Sequence, residues 1–71
     1  MKKKHAPYIK FKRTLAAMGI TYKDIANVIH TTEATVMLKI NGESDFYISE
    51  QRTICETFGI DPAIFFAVDV A

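Results

Sequence analysis

Helix-stopping residues fall so close together in this chain that it can build only short helices. Gly19, the pair Asn41-Gly42 and Gly59 each follow a stretch whose apolar residues recur at helical spacing. Glycine takes the left-handed conformation that closes a helix at no steric cost. No strand-like alternation occurs before the last few residues, and no repeat or low-complexity tract is present. The expected class is therefore all-α, with five short helical stretches joined by tight connections.

The first stretch runs from about Tyr8 to Met18. Pro7 stands at its start, and Phe11, Leu15 and Met18 form one apolar stripe, with Lys10, Lys12 and Arg13 lying off it. The second opens at Thr21, an N-cap whose partner Asp24 follows three residues on, while Ile20 and Ile25 are placed as a hydrophobic staple. Ile25, Ala26, Val28 and Ile29 supply its buried side, and Ala26 is small enough for another helix to approach. Thr31 or Thr32 caps the third stretch, which turns Val36 and Ile40 inward and leaves Thr32, Glu33, Thr35, Met37 and Leu38 outside or half outside. Phe46 dips into the core from the next loop. A fourth helix spans about Ile48 to Phe58 with Ile54, Cys55 and Phe58 inward, and Asp61-Pro62 opens a fifth carrying Ile64, Phe65 and Phe66.

Composition narrows the function classes. Seventy-one residues, 49% of them apolar, suffice for one small core. The expected organisation is a basic, flexible arm at 1–7, a domain at 8–66 and a tail at 67–71. The single cysteine, Cys55, excludes an internal disulfide and reads as a small core residue, which fits a reducing, cytoplasmic setting. No apolar run approaches the ~20 residues that span a bilayer, and no apolar stretch follows Met1-Lys2-Lys3-Lys4 as a secretory signal requires. His5 and His30 are not spaced as metal ligands with Cys55, and Glu50, Glu56 and Asp61 are scattered rather than clustered. Without a nucleophile–base pair or a phosphate-cradling glycine loop, neither an enzyme nor a cofactor or metal is expected. The net charge of +1 hides an asymmetry: Lys2, Lys3, Lys4, Lys10, Lys12 and Arg13 are six of the nine basic residues, and no acid precedes Asp24. That arm is either a solvated segment or a source of phosphate contacts, and charge alone does not choose.

The stretches at 21–29 and 32–41 have the size of a helix-turn-helix. The residues are more specific than the size. Gly19-Ile20-Thr21, Asp24-Ile25-Ala26, Thr31-Thr32-x-x-Thr35-Val36, Asn41-Gly42 and Phe58-Gly59-Ile60 together resemble the Cro/repressor (XRE) helix-turn-helix family of phage regulators. The likeness runs from Leu15 to Phe66, about three quarters of the chain. It implies a five-helix, lambda-repressor-like bundle that binds double-stranded DNA, with the helix at 32–41 in the major groove. Carried over by position, Thr32, Glu33, Ala34, Met37 and Leu38 face base edges. Thr21 and Tyr22 meet the phosphate backbone, as does Asn41 just past the reading helix, and Lys23 and Lys39 are further phosphate candidates.

The departures from the family pattern are specific. Its members often read with Gln, Arg or Ser, whereas Glu33 can accept only from cytosine N4 or adenine N6, and Ala34, Met37 and Leu38 can only meet thymine methyls. Tyr22 replaces the usual Gln. Leu15 and Ile40 stand where many members bury an ion pair, and are expected to touch as an apolar pair instead. His30 occupies the turn position where Gly is usual, predicting a strained left-handed turn. The implied function is transcriptional regulation from a pseudo-palindromic operator, by a homodimer joined through the C-terminal segment. The acidic and apolar face equally suits a protein-interaction module such as an antirepressor. An antitoxin or an excision accessory factor would share the same sequence features.

Overall fold

A computed structural model describes residues 4–66. Among these residues the chain forms four α-helices, α1 (Ile9–Met18), α2 (Tyr22–Val28), α3 (Glu33–Asn41) and α4 (Ile48–Phe58), followed by one 3-10 turn at Pro62–Phe65. No strand occurs among them.

Each helix ends the same way. The amide of Ile20 donates to the Leu15 carbonyl at 2.9 Å, Thr31 to Ala26 at 2.9 Å, Glu43 to Leu38 at 3.1 Å and Ile60 to Cys55 at 3.0 Å. In every case the residue between donor and helix is left-handed: Gly19, His30, Gly42 and Gly59. This closure satisfies orphan carbonyls and reverses the chain within two residues. Three of the four positions are the glycines that the sequence offered as stops.

The helices enclose one core. Phe11 and Leu15 of α1, Ile25 and Ala26 of α2, Val36 and Ile40 of α3, and Ile54 and Cys55 of α4 are buried, together with Phe46, Ile60 and Phe65. Leu15 and Ile40, expected as an apolar substitute for an ion pair, both lie fully inside it. Burial raises the Cys55 thiol pKa, and the Asp61 carboxylate adds to the rise. Met18 departs from the expected stripe. It is half exposed at the last turn of α1, on the rim of a shallow groove shared with Thr14, Ile60 and Ile64.

The expected fifth helix is a 3-10 turn. Asp61 caps it by accepting from the Ala63 amide at 2.9 Å, and the amides of Ile64 and Phe66 donate three residues back, to Asp61 and Ala63. Its tighter winding puts Phe65 among the rings of Tyr8, Phe11 and Phe46, with centroids 5.4, 4.8 and 5.5 Å away, and leaves Phe66 76% exposed. Packing of one aromatic ring, which is worth more than one extra helical hydrogen bond, sets the local geometry.

The segment 4–7, expected within a flexible arm, lies against the end of α3. The Lys4 amide donates to the Gly42 carbonyl at 2.6 Å, the Tyr8 amide to Ile40 at 2.9 Å, and the His5 ring stacks on Tyr8 with Nε2 at 2.7 Å from the Ser44 carbonyl. The Tyr8 hydroxyl donates to Asp45 at 2.7 Å. Its pKa is pushed up, first by burial and then by that carboxylate.

Phe65→Ala is expected to cost about 3 kcal/mol, as truncation of a buried ring does, whereas Phe66→Ala should stay within about 0.5 kcal/mol of wild type. Urea unfolding of both variants checks this, and equal losses would contradict the assignment of Phe65 alone to the core.

Candidate nucleic-acid interface

The second and third helices are fixed to one another by their sequence ends. Thr21 begins α2 in an extended conformation, its hydroxyl accepting from the Asp24 amide at 3.1 Å while the Asp24 carboxylate accepts from the Thr21 amide at 2.9 Å. That carboxylate is held below its ordinary pKa, chiefly by the Thr21 backbone N–H. Only four residues, Ile29 to Thr32, separate α2 from α3. His30 takes a left-handed φ of 56°, Thr31 returns its amide to Ala26, and Thr32 caps α3 by accepting from the Thr35 amide at 3.2 Å. The Thr32 and Thr35 hydroxyls stand 2.9 Å apart and hold the cap rotamer.

With that turn fixed, α3 has a defined inner and outer side. Val36, Lys39 and Ile40 are buried. Thr32, Glu33, Ala34, Met37 and Leu38 are all exposed, Met37 by 48% and Leu38 by 43%. At 100° per residue, positions 33, 34, 37 and 38 share one helical face, so four of the five expected base-facing residues form a continuous strip, with Thr32 at its start. Glu33 is in the first turn, where the helix dipole favours a negative charge.

The expected phosphate set separates into two groups. Thr21 and Lys23 are exposed at the start of α2, Tyr22 is half buried against the core, and Asn41 is half buried at the end of α3. Lys39 does not join them. Its side chain turns inward and its ammonium donates to Glu50 Oε1 at 2.6 Å, with 8% and 16% of the two side chains accessible. The ammonium also lies 5.7 Å from the Phe46 ring centre and 5.0 Å from that of Tyr47. A lysine eleven residues from its partner carries no local signal of pairing. The apolar neighbours Val36 and Ile40 on the same side were the available hint.

Sequence reading also missed the docking of Lys4, whose backbone bond to Gly42 places that lysine beside the end of α3. Among the described residues, no group of His, Cys, Asp and Glu is arranged to hold a metal, and no helix is long and apolar enough to cross a membrane.

Two short helices locked through one left-handed residue, the second showing a face that none of the described residues covers, define a helix-turn-helix protein. The chain belongs to the family of Cro/C1-type HTH DNA-binding domains, whose sequence profile matches residues 10–66. No curated protein and no solved structure gives a significant match. The family is one of DNA-binding rather than catalytic domains.

Two outcomes test this geometry. A carboxylate whose folded pKa is lowered stabilises the fold above its unfolded pKa and loses that contribution as pH falls through the folded value. The Thr21 amide shift should therefore follow Asp24 with a midpoint below the usual carboxylate range; a midpoint within that range would mean the cap is open. At the turn, His30→Val should cost more than about 1 kcal/mol, because a branched side chain resists positive φ. His30→Gly should remain within about 1 kcal/mol of wild type, since relieved strain offsets the added freedom of the unfolded chain.

Proposed function

We propose that this protein is a sequence-specific transcriptional regulator of the Cro or repressor kind, which lays α3 in the major groove of double-stranded DNA. The observation that supports it most is the exposed strip Thr32, Glu33, Ala34, Met37 and Leu38 on a helix whose other side is pinned into the core. A helix with its side chains is about 10–12 Å across, commensurate with a groove about 12 Å wide. In this reading Glu33 accepts from the exocyclic amine of cytosine or adenine, and Ala34, Met37 and Leu38 meet thymine methyls. Thr21, Tyr22, Lys23 and Asn41 hold phosphates on either side.

The basic chain start adds affinity without sequence preference. Lys4 is tied to Gly42 at the end of α3, so its charge lies near the end of the proposed reading helix rather than at the far side of the domain. The functional unit is the domain at 8–66. Pairing of two copies through the C-terminal segment 67–71, which lies outside the described residues, would present two reading helices to half-sites about 34 Å apart. Such a regulator would work in the cytoplasm and act by occupying an operator.

One observation favours a second reading. The strip carries an acid and two large exposed apolar side chains, Met37 and Leu38, a composition that suits a protein surface better than a phosphate-lined groove. An antirepressor-like partner role would follow.

Selection of bound sequences from a random duplex library, followed by salt titration, decides between them. A DNA regulator binds random duplex at low salt and weakens steeply as salt rises. Absence of any binding at low salt leaves the protein-interaction reading. If DNA is bound, Glu33→Gln should alter base preference at one position of each half-site. Asn41→Ala should weaken binding to all duplexes alike, by about five-fold, the size of one lost hydrogen bond. A sequence-selective loss in the Asn41 variant would contradict its placement on phosphate.

A further inference from the structure

We infer that Lys39 is the strut that sets the rotation of α3 about its own axis, and so is a positioning residue for base reading rather than a phosphate contact. The inference rests on the reading above, that α3 is the helix that enters the groove.

Among the helices, only α2 packs closely on α3, and the backbone bonds from Lys4 and Tyr8 hold its last turn alone. The α2 helix in turn packs on α4, but α3 and α4 do not form a closely packed pair. Two short helices that meet along one line retain freedom to roll. Rolling α3 would swing Glu33, Ala34, Met37 and Leu38 together, since they share one face. A long side chain from the opposite face can remove that freedom, and Lys39 lies on it, buried between Val36 and Ile40 in the buried set of the helix.

Its target is rigid. Glu50 Oε1 receives the Lys39 ammonium at 2.6 Å and also accepts from the Tyr47 amide at 2.9 Å. The same oxygen thus closes the first turn of α4 and ties α3 to it. The rings of Phe46 and Tyr47 flank the ammonium, and Phe46 is itself part of the core. A charge so enclosed is directional: few other positions of α3 satisfy both the ammonium and the carboxylate.

The experiment measures binding of the wild type and of Lys39→Met, Glu50→Gln and the double variant K39M/E50Q, to the selected operator and to random duplex, across a salt series. Folded fraction is followed in parallel by circular dichroism. Each single variant should lose about ten-fold or more for the operator but no more than about two-fold for random duplex, with an unchanged salt slope. The double variant, in which methionine and a neutral amide replace the charges, should regain most of the operator affinity. It also keeps the test alive should a single variant fold poorly.

A salt slope smaller by about one in Lys39→Met would mean that the lysine neutralises a phosphate, and would overturn the inference. Equal losses for operator and random duplex, in step with lost circular dichroism, would reduce Lys39 to a contribution to stability and overturn it too, as would unchanged binding. If the wild type itself binds no duplex, the DNA-binding role falls first and the inference falls with it. Binding by the wild type with altered slopes in the variants defeats the inference alone.

Discussion

The fold depends on a single backbone closure used four times. A left-handed residue after each helix lets the next amide reach back to a carbonyl five residues earlier, at Leu15, Ala26, Leu38 and Cys55. Without it a chain of 71 residues could not change direction often enough to surround one core with helices of seven to eleven residues. The closure also fixes direction, because its hydrogen bonds leave the exit vector little freedom. Three closures use glycine. The fourth, at His30, uses a residue that resists that conformation, and it lies at the turn between α2 and α3. The cost of holding it is carried by the fixed elements on both sides, the Thr31 amide bond and the Thr32 cap, so the strained turn is also the most determined one.

The two ends of the described chain complete what the closures begin. Tyr8 follows the segment docked on α3, and Phe65 arrives from the 3-10 turn; both meet Phe11 and Phe46 or their neighbours in one aromatic cluster. Residues far apart in sequence thereby bind the first helix to the loop before the fourth and to the 3-10 turn. In so small a domain each such ring is a sizeable share of total stability. The α3 helix benefits in particular, since its last turn is bracketed by the Tyr8 amide on Ile40 and the Lys4 amide on Gly42.

What could be read from sequence was what is encoded locally. The four helices, the Thr21–Asp24 cap and the glycine stops all follow from residues within a few positions of each other, while the left-handed His30 followed from the family likeness, and each is where sequence placed it. The failures are non-local. Residues 62–65 contain nothing against an α-helix after Asp61-Pro62; the 3-10 form exists because Phe65 has a cavity of rings to fill. Met18 continues the stripe of α1 by spacing, but α1 ends there and the described residues leave it half exposed. Lys39 looked like a surface cation because its partner, Glu50, belongs to another helix. The site therefore splits: the outer strip of α3 was legible from the period of its inner apolar residues, while the means of holding that strip in place was not.

The hidden pair also changes the electrostatic account of the reading helix. With Lys39 neutralised inside, the outer strip of α3 presents Glu33 and no cation, and the α2 start places Asp24 beside Lys23. Local charge gives this face no advantage at a phosphate backbone. Of the basic residues at the start of the chain, Lys4 is brought to the end of α3 by backbone hydrogen bonds, its own amide and that of His5 both donating to the Gly42 carbonyl. If α3 reads DNA as proposed, the labour is divided physically: basic residues outside the strip supply long-range, salt-sensitive attraction, and a nearly uncharged strip discriminates by shape, methyl contact and one carboxylate. On such a surface a weak electrostatic background makes discrimination a larger fraction of total binding. The orientation of α3, more than its charge, then decides which duplex is held.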